Sequence, residues 1–103
     1  MKEYQKLIRD RILEIIDSTG RSAVIRTLSD EESPIYLEAK LDEEVGEYHR
    51  DKTAEELADI LEVVYALAAN LGVSRDELMD IYQKKHNDRG GFEKKLFLIS
   101  AEE

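Results

Sequence analysis

The chain has 103 residues, of which 42% are apolar and 7% aromatic, enough for one domain over 1–103 with one modest core and too few for two. Its 38% charged content and formal net charge of -9 argue against a nucleic-acid partner, because a phosphate backbone would be repelled. Cysteine is absent, which excludes disulfides and thiolate zinc sites. The first twenty residues lack a continuous apolar run, and the longest such run, Val63 to Ala69, is too short to span a bilayer. The expectation is a soluble, cytoplasmic chain without a leader and without a membrane partner.

In chain order, residues 5–18 (QKLIRDRILEIIDS) place Leu7, Ile8, Ile12, Ile15 and Ile16 at helical spacing, and Gly20 suits a left-handed cap. SAVIRTL is dominated by β-branched residues and predicts a short strand. Ser33 before Pro34 predicts a helix start: a hydroxyl caps free amides, and proline at the first position lacks a donor that would be unsatisfied anyway. That helix runs to about Arg50. Thr53 with Glu56 has capping-box spacing and opens a helix that ends at Asn70, before Gly72. Ser74 with Glu77 repeats the device for a helix to about Asp88. RGGF breaks the chain there, and KKLFLI is a candidate second strand, 95–99 pairing with 23–28. The expected fold is therefore mainly all-α, an antiparallel helical bundle with a minor β pair. The helix over 54–70 is apolar on several sides, so it should be central and covered by a second subunit, giving a homodimer or a dimer of dimers.

One residue breaks its pattern. In YLEAKLDEEVGEYHRD, Leu37, Leu41 and Tyr48 form an apolar stripe at i, i+4 and i+11, and the i+7 position that should face the core is Glu44. Glu44 and Glu47 are three apart, as are Glu56 and Asp59, so each pair projects from one side of its helix. A connector of a few residues makes the helices antiparallel neighbours and brings the four carboxylates together. Burying unpaired like charges costs several kcal/mol, so a positive charge should sit among them. Oxygen-only donors, with His49 two residues past Glu47 and off its face, favour Mg²⁺ or Mn²⁺ over zinc. Plainer roles stand beside these: Glu56 as capping partner of Thr53, Glu47 and Asp59 as solvated charges near helix ends, Glu44 as an edge residue reaching out to water.

The E-x-x-E of EVGE (Glu44, Glu47) followed by the E-x-x-D of ELAD (Glu56, Asp59) resembles the signature of the all-α nucleoside triphosphate pyrophosphohydrolases, the MazG-like superfamily that includes phosphoribosyl-ATP pyrophosphohydrolase and the dimeric dUTPases. The opening KLIRDRI and closing RGGF resemble a short single-domain branch, so the likeness covers nearly the whole chain. The connector between the motifs is shorter than in many members, leaving less room for a base-recognition element. The resemblance implies Mg²⁺-dependent cleavage of the α–β phosphoanhydride of a nucleotide, with Glu44, Glu47, Glu56 and Asp59 as metal ligands. Glu43, Glu44 and Glu47 are the candidate catalytic residues, Glu43 as orienter or base. A triphosphate carries about four negative charges, which an acidic pocket accepts only when divalent ions bridge the two sets of oxygens.

Phosphates also need cations. Lys84, Lys85, Asn87 and Arg89 end the last helix, where the resemblance places a phosphate-contacting Lys and Arg; Lys and Arg at a helix C-terminus also suit its dipole. Lys6, Arg9 and Arg11 are a second group, with salt bridging to a partner subunit as the other role. Tyr48, Tyr65 and Tyr82 read as core or interface residues. Two alternatives to the enzyme remain: a non-catalytic metal- or nucleotide-binding oligomeric module, and a di-iron bundle. The latter usually has Glu-x-x-His pairs, and neither histidine here lies three residues after a glutamate.

Overall fold

A computed structural model describes residues 2–102. Among them are four helices, α1 (Ile12–Ser18), α2 (Ser33–Asp51), α3 (Ala54–Asn70) and α4 (Arg75–Arg89), and no strand. The fold is all-α.

Local chemistry sets the helix ends. Before α2, Ser29 and Glu32 bond reciprocally: the Ser29 amide donates to the Glu32 carboxylate at 3.0 Å, and the Glu32 amide donates to the Ser29 hydroxyl at 3.2 Å. This pair does the work expected of Ser33, which instead lies inside the helix with Pro34 beside it in the first turn. Arg26 clamps the same Glu32 through two bonds of 3.1 and 2.9 Å, and with Ser29 it holds that carboxyl down at about 2. Lys52 closes α2 in the left-handed region, its amide reaching Tyr48 O at 2.8 Å. Thr53 then caps α3 by accepting the Glu56 amide at 3.4 Å, so only two residues separate the helices and α3 folds back along α2.

At the far end of α3, Gly72 at φ +78 donates to Ala69 O and Val73 donates to Ala68 O, a Schellman cap. Ser74 and Glu77 form both bonds of a capping box and start α4. The Arg75 guanidinium lies 4.3 Å from the Tyr65 ring centroid, and the Tyr65 hydroxyl meets Met79 Sδ at 3.8 Å. These contacts set a corner of 106° between α3 and α4. An L-residue in the left-handed region costs about 1 kcal/mol or more, so Gly72→Ala should lower the thermal midpoint by about 5 °C while leaving helix content unchanged, as read by circular dichroism.

The core is small. Among the described residues, the buried side chains are Leu37 of α2, Val63 and Ala68 of α3, and a carboxylate, Glu44. α3 is central as expected, packed against both α2 and α4.

Two expectations need correction. The segment 5–18 is helical only from Ile12; α1 has no capping side chain, and seven residues are too few to hold themselves against fraying. Lys6 and Arg9, in the part that is not helical, pair instead with carboxylates of α2 and α3. The β pair of 23–28 with 95–99 does not form: both segments are neither helix nor strand, and a lone two-stranded ladder is marginal in water. Val24, Leu96, Phe97, Leu98 and Ile99 are all strongly exposed.

Candidate metal centre

The α2–α3 hairpin assembles the site from the bottom up. The stripe of α2 that buries Leu37 places Glu44 two turns further along the same face, where only 7% of it meets solvent. Glu47 follows one turn on. The short link then sets the first turns of α3 opposite, and one carboxylate oxygen from each of Glu44, Glu47, Glu56 and Asp59 lies within 4.8 Å of the others. All four sequence-predicted ligands are thus brought together.

This cluster is under electrostatic tension. Glu44 Oε2 and Glu56 Oε2 are both buried without a hydrogen-bond partner. Burial pushes the Glu44 carboxyl above its ordinary value, and the neighbouring charge of Glu47 adds to the rise. Glu56 is raised by desolvation first and then by Glu47 and Asp51. Both groups resist ionisation because burial, and then the neighbouring carboxylates, disfavour their charged forms.

The positive charge beside Glu44 is Lys40, a residue to which sequence reasoning assigned no role. Its ammonium lies 2.6 Å from Glu43 and 3.4 Å from Glu44, at i+3 and i+4 on α2. Burial would lower the Lys40 pKa, but its bond to Glu43 and the charges of Glu43 and Glu44 outweigh that and raise it. The Lys-x-x-Glu-Glu spacing was the available signal. Glu43 Oε2 has no well-directed hydrogen bond, yet its charge is met by Lys40 and, at 3.6 Å, by Lys6. Glu43 is held below the ordinary carboxylate range, chiefly by Lys40, which makes it a weak proton acceptor near neutrality.

Two expected phosphate contacts stand at the rim. Arg9 reaches Asp59 at 3.3 Å and Glu62 at 3.9 Å, so the segment before α1 lies beside the cluster within the same chain. Lys6 lines a cavity of about 180 Å³ with Tyr36, Lys40 and Glu43. Among the described residues, Arg11 pairs only with Glu14, three positions on. Lys85, Asn87 and Arg89 are placed elsewhere. The rise from Asp59 to the end of α3 is about 17 Å, and α4 turns away beyond it. Lys85 and Arg89 line a separate hollow of about 660 Å³ with Tyr82, His86 and Phe92, while Asn87 accepts from Gln83 at 2.9 Å. Tyr48 and Tyr82 make local aromatic contacts with His49 and His86.

The charge pattern fixes a pH dependence. A carboxyl whose pKa is raised by folding contributes fully below its ordinary value near 4.5 and loses that contribution as pH climbs through the raised value. The metal-free chain should therefore gain stability as pH is lowered from 7 towards about 5. Further acidification protonates Glu43, Asp51 and Glu32, whose folded values are depressed, and stability then falls. Thermal melts in chelator across this range read the expected maximum; a midpoint that falls steadily from pH 7 downward would contradict it.

An uncharacterized protein of Mycolicibacterium smegmatis is 62% identical over 42 residues, a stretch that covers 41% of this chain and 43% of the relative. The match thus spans less than half the length of that curated relative. No family model matches the sequence, and no solved structure does. No single helix among the described residues is long and apolar enough to cross a membrane.

Proposed function

We propose that the chain is a nucleotide pyrophosphohydrolase dependent on Mg²⁺, with Mn²⁺ as a substitute. It cleaves the α–β phosphoanhydride of a nucleoside triphosphate to a monophosphate and pyrophosphate, in a house-cleaning role. The observation that carries this reading is four converging carboxylates, two of them with buried, unpartnered oxygens. A buried acidic cluster left unmet is unfavourable, and a divalent cation is the group that an all-oxygen donor set fits. Glu44, Glu47, Glu56 and Asp59 would hold it. When bound, such an ion supplies charge neutralisation for the phosphates and a water acidified enough to attack. The resemblance of the two acidic motifs to the MazG-like superfamily supports the same reaction.

The remaining side chains have roles that follow from their places. Lys40, with Glu43, fixes the orientation of Glu44 from behind. Lys6 and Arg9 stand at the rim and can exchange a carboxylate partner for a phosphate oxygen, since both are partly exposed. The test is product analysis with a panel of canonical and modified nucleoside triphosphates and Mg²⁺ or Mn²⁺. Equal amounts of pyrophosphate and monophosphate are expected from at least one substrate. Orthophosphate with a diphosphate would place the cut at the wrong bond.

A second reading has its own observation. Lys85 and Arg89 lie away from the acidic cluster within one chain, so of the expected phosphate-binding residues Lys6 and Arg9 alone stand beside it. A non-catalytic metal- or nucleotide-binding module would retain the ligand set without that further clamp, and it expects metal binding with no phosphate release.

A further inference from the structure

The two oxygens of Glu44 have different surroundings. Oε1 lies 3.4 Å from the Lys40 ammonium, whereas Oε2 is buried without a hydrogen-bond partner. A carboxylate can offer a cation one oxygen or both, and the choice is open only while both are free. Here one is already engaged, by a residue one turn back on the same helix.

Lys40 is also held where it is. Its side chain is 15% exposed, and its ammonium lies 2.6 Å from Glu43 Oε2, so a carboxylate that is not one of the four anchors it beside Glu44. Lys6 meets the other Glu43 oxygen, Oε1, at 3.6 Å. Arg9 engages Asp59 Oδ1 at 3.3 Å in a similar manner, but its side chain is 59% exposed, and an ion pair on the surface contributes little. The restriction on Glu44 is the one built into the interior.

This restriction decides which cation fits. Ca²⁺ collects about six to eight oxygens at about 2.3–2.6 Å and commonly takes a carboxylate through both of its oxygens, while Mg²⁺ demands a near-ideal octahedron at about 2.0–2.1 Å. A carboxylate that can give a single oxygen suits the octahedron and denies Ca²⁺ a ligand. Glu44 is the most buried of the four, so the limit falls where water can least make up the missing oxygen.

We propose that Lys40 determines the ion specificity of the centre: by holding Glu44 Oε1 it leaves a cation one oxygen of the most buried carboxylate, and so favours Mg²⁺ over Ca²⁺. Lys40 is thus a positioning residue that acts through Glu44. The proposal rests on the cation site proposed above and not on nucleotide hydrolysis. Its test uses the full chain and the bare ions. Mn²⁺ is bound first and followed by electron paramagnetic resonance, and Mg²⁺ or Ca²⁺ is then added in competition. Wild type should release Mn²⁺ at a lower concentration of Mg²⁺ than of Ca²⁺. Lys40→Met is of similar length and keeps the buried stem packed, so its helical circular dichroism should persist. Loss of a positive charge tightens the binding of both ions together, but the ratio of the two affinities should move towards Ca²⁺ by at least about tenfold, the scale on which residues behind a metal ligand act. Lys6→Met deletes a charge that pairs with Glu43 rather than with Glu44, and should leave the ratio where it is. A ratio unchanged in Lys40→Met, or shifted equally in Lys6→Met, overturns the proposal and leaves the cation site standing. A wild type that binds Ca²⁺ as tightly as Mg²⁺ overturns it without recourse to any variant. Mn²⁺ that does not bind the wild type removes the site itself, and the proposal with it.

Discussion

Under the proposed pyrophosphohydrolase reading, Glu44→Gln should lower kcat/KM for Mg²⁺-dependent pyrophosphate release at least about 100-fold, since even residues that only orient a metal ligand contribute 10–100-fold. The substitution is nearly isosteric and deletes one charge from a position that is 7% exposed. It also removes the cost of burying the charge, and the lesser repulsion from Glu47 and Asp59, that raise the Glu44 carboxyl, so the fold should be undisturbed. The loss is then assignable to the missing ligand charge. An enzyme that turns over normally with glutamine at this place would mean that the deepest carboxylate has no part in the reaction.

Glu44→Leu has the opposite effect on the empty fold. Residue 44 continues the stripe of Leu37 and Leu41, and one of its carboxylate oxygens is buried without a hydrogen-bond partner. Leucine fills a similar volume and needs no partner. Relief of the unsatisfied group should stabilise the metal-free protein by about 1–3 kcal/mol, with the thermal midpoint rising by several degrees. Wild type should gain stability on addition of Mn²⁺, and Glu44→Leu should gain little, because the ligand that couples metal binding to folding is gone. This pairing of higher intrinsic stability with lost response to metal marks a residue kept for function at the expense of packing. A Glu44→Leu chain less stable than the wild type in chelator would show instead that the Lys40 ion pair makes the carboxylate favourable where it is.

The sequence made Glu44 legible for a physical reason. Helical periodicity specifies which positions face inward, so a charge in the apolar stripe is visible without coordinates. Thr53 and Ser74 were legible because a capping hydroxyl followed three residues later by glutamate is a local code, and local codes do not depend on the rest of the fold. Convergence of the four carboxylates followed from periodicity together with a link too short to do anything but reverse the chain. What the sequence withheld depends on longer distances. The 106° corner between α3 and α4, set by Tyr65 against Arg75 and Met79, carries Lys85 and Arg89 away from the cluster, and no periodicity encodes that angle. The apolar spacing of residues 5–11 suggested helix, whereas Lys6 and Arg9 are held by carboxylates of α2 and α3. Lys40 escaped notice because a lysine three or four residues before glutamates is common on exposed helices, and only burial distinguishes this one.

The most direct test of the metal centre is a calorimetric titration of Mn²⁺ into the wild-type chain and into Glu44→Gln at neutral pH. A saturable heat from the wild type is expected, with proton release that grows as pH is lowered towards the raised Glu44 and Glu56 values, and with the heat abolished in the variant. Saturable binding of equal strength to both chains, or no binding to the wild type at all, would contradict a cation site built on Glu44.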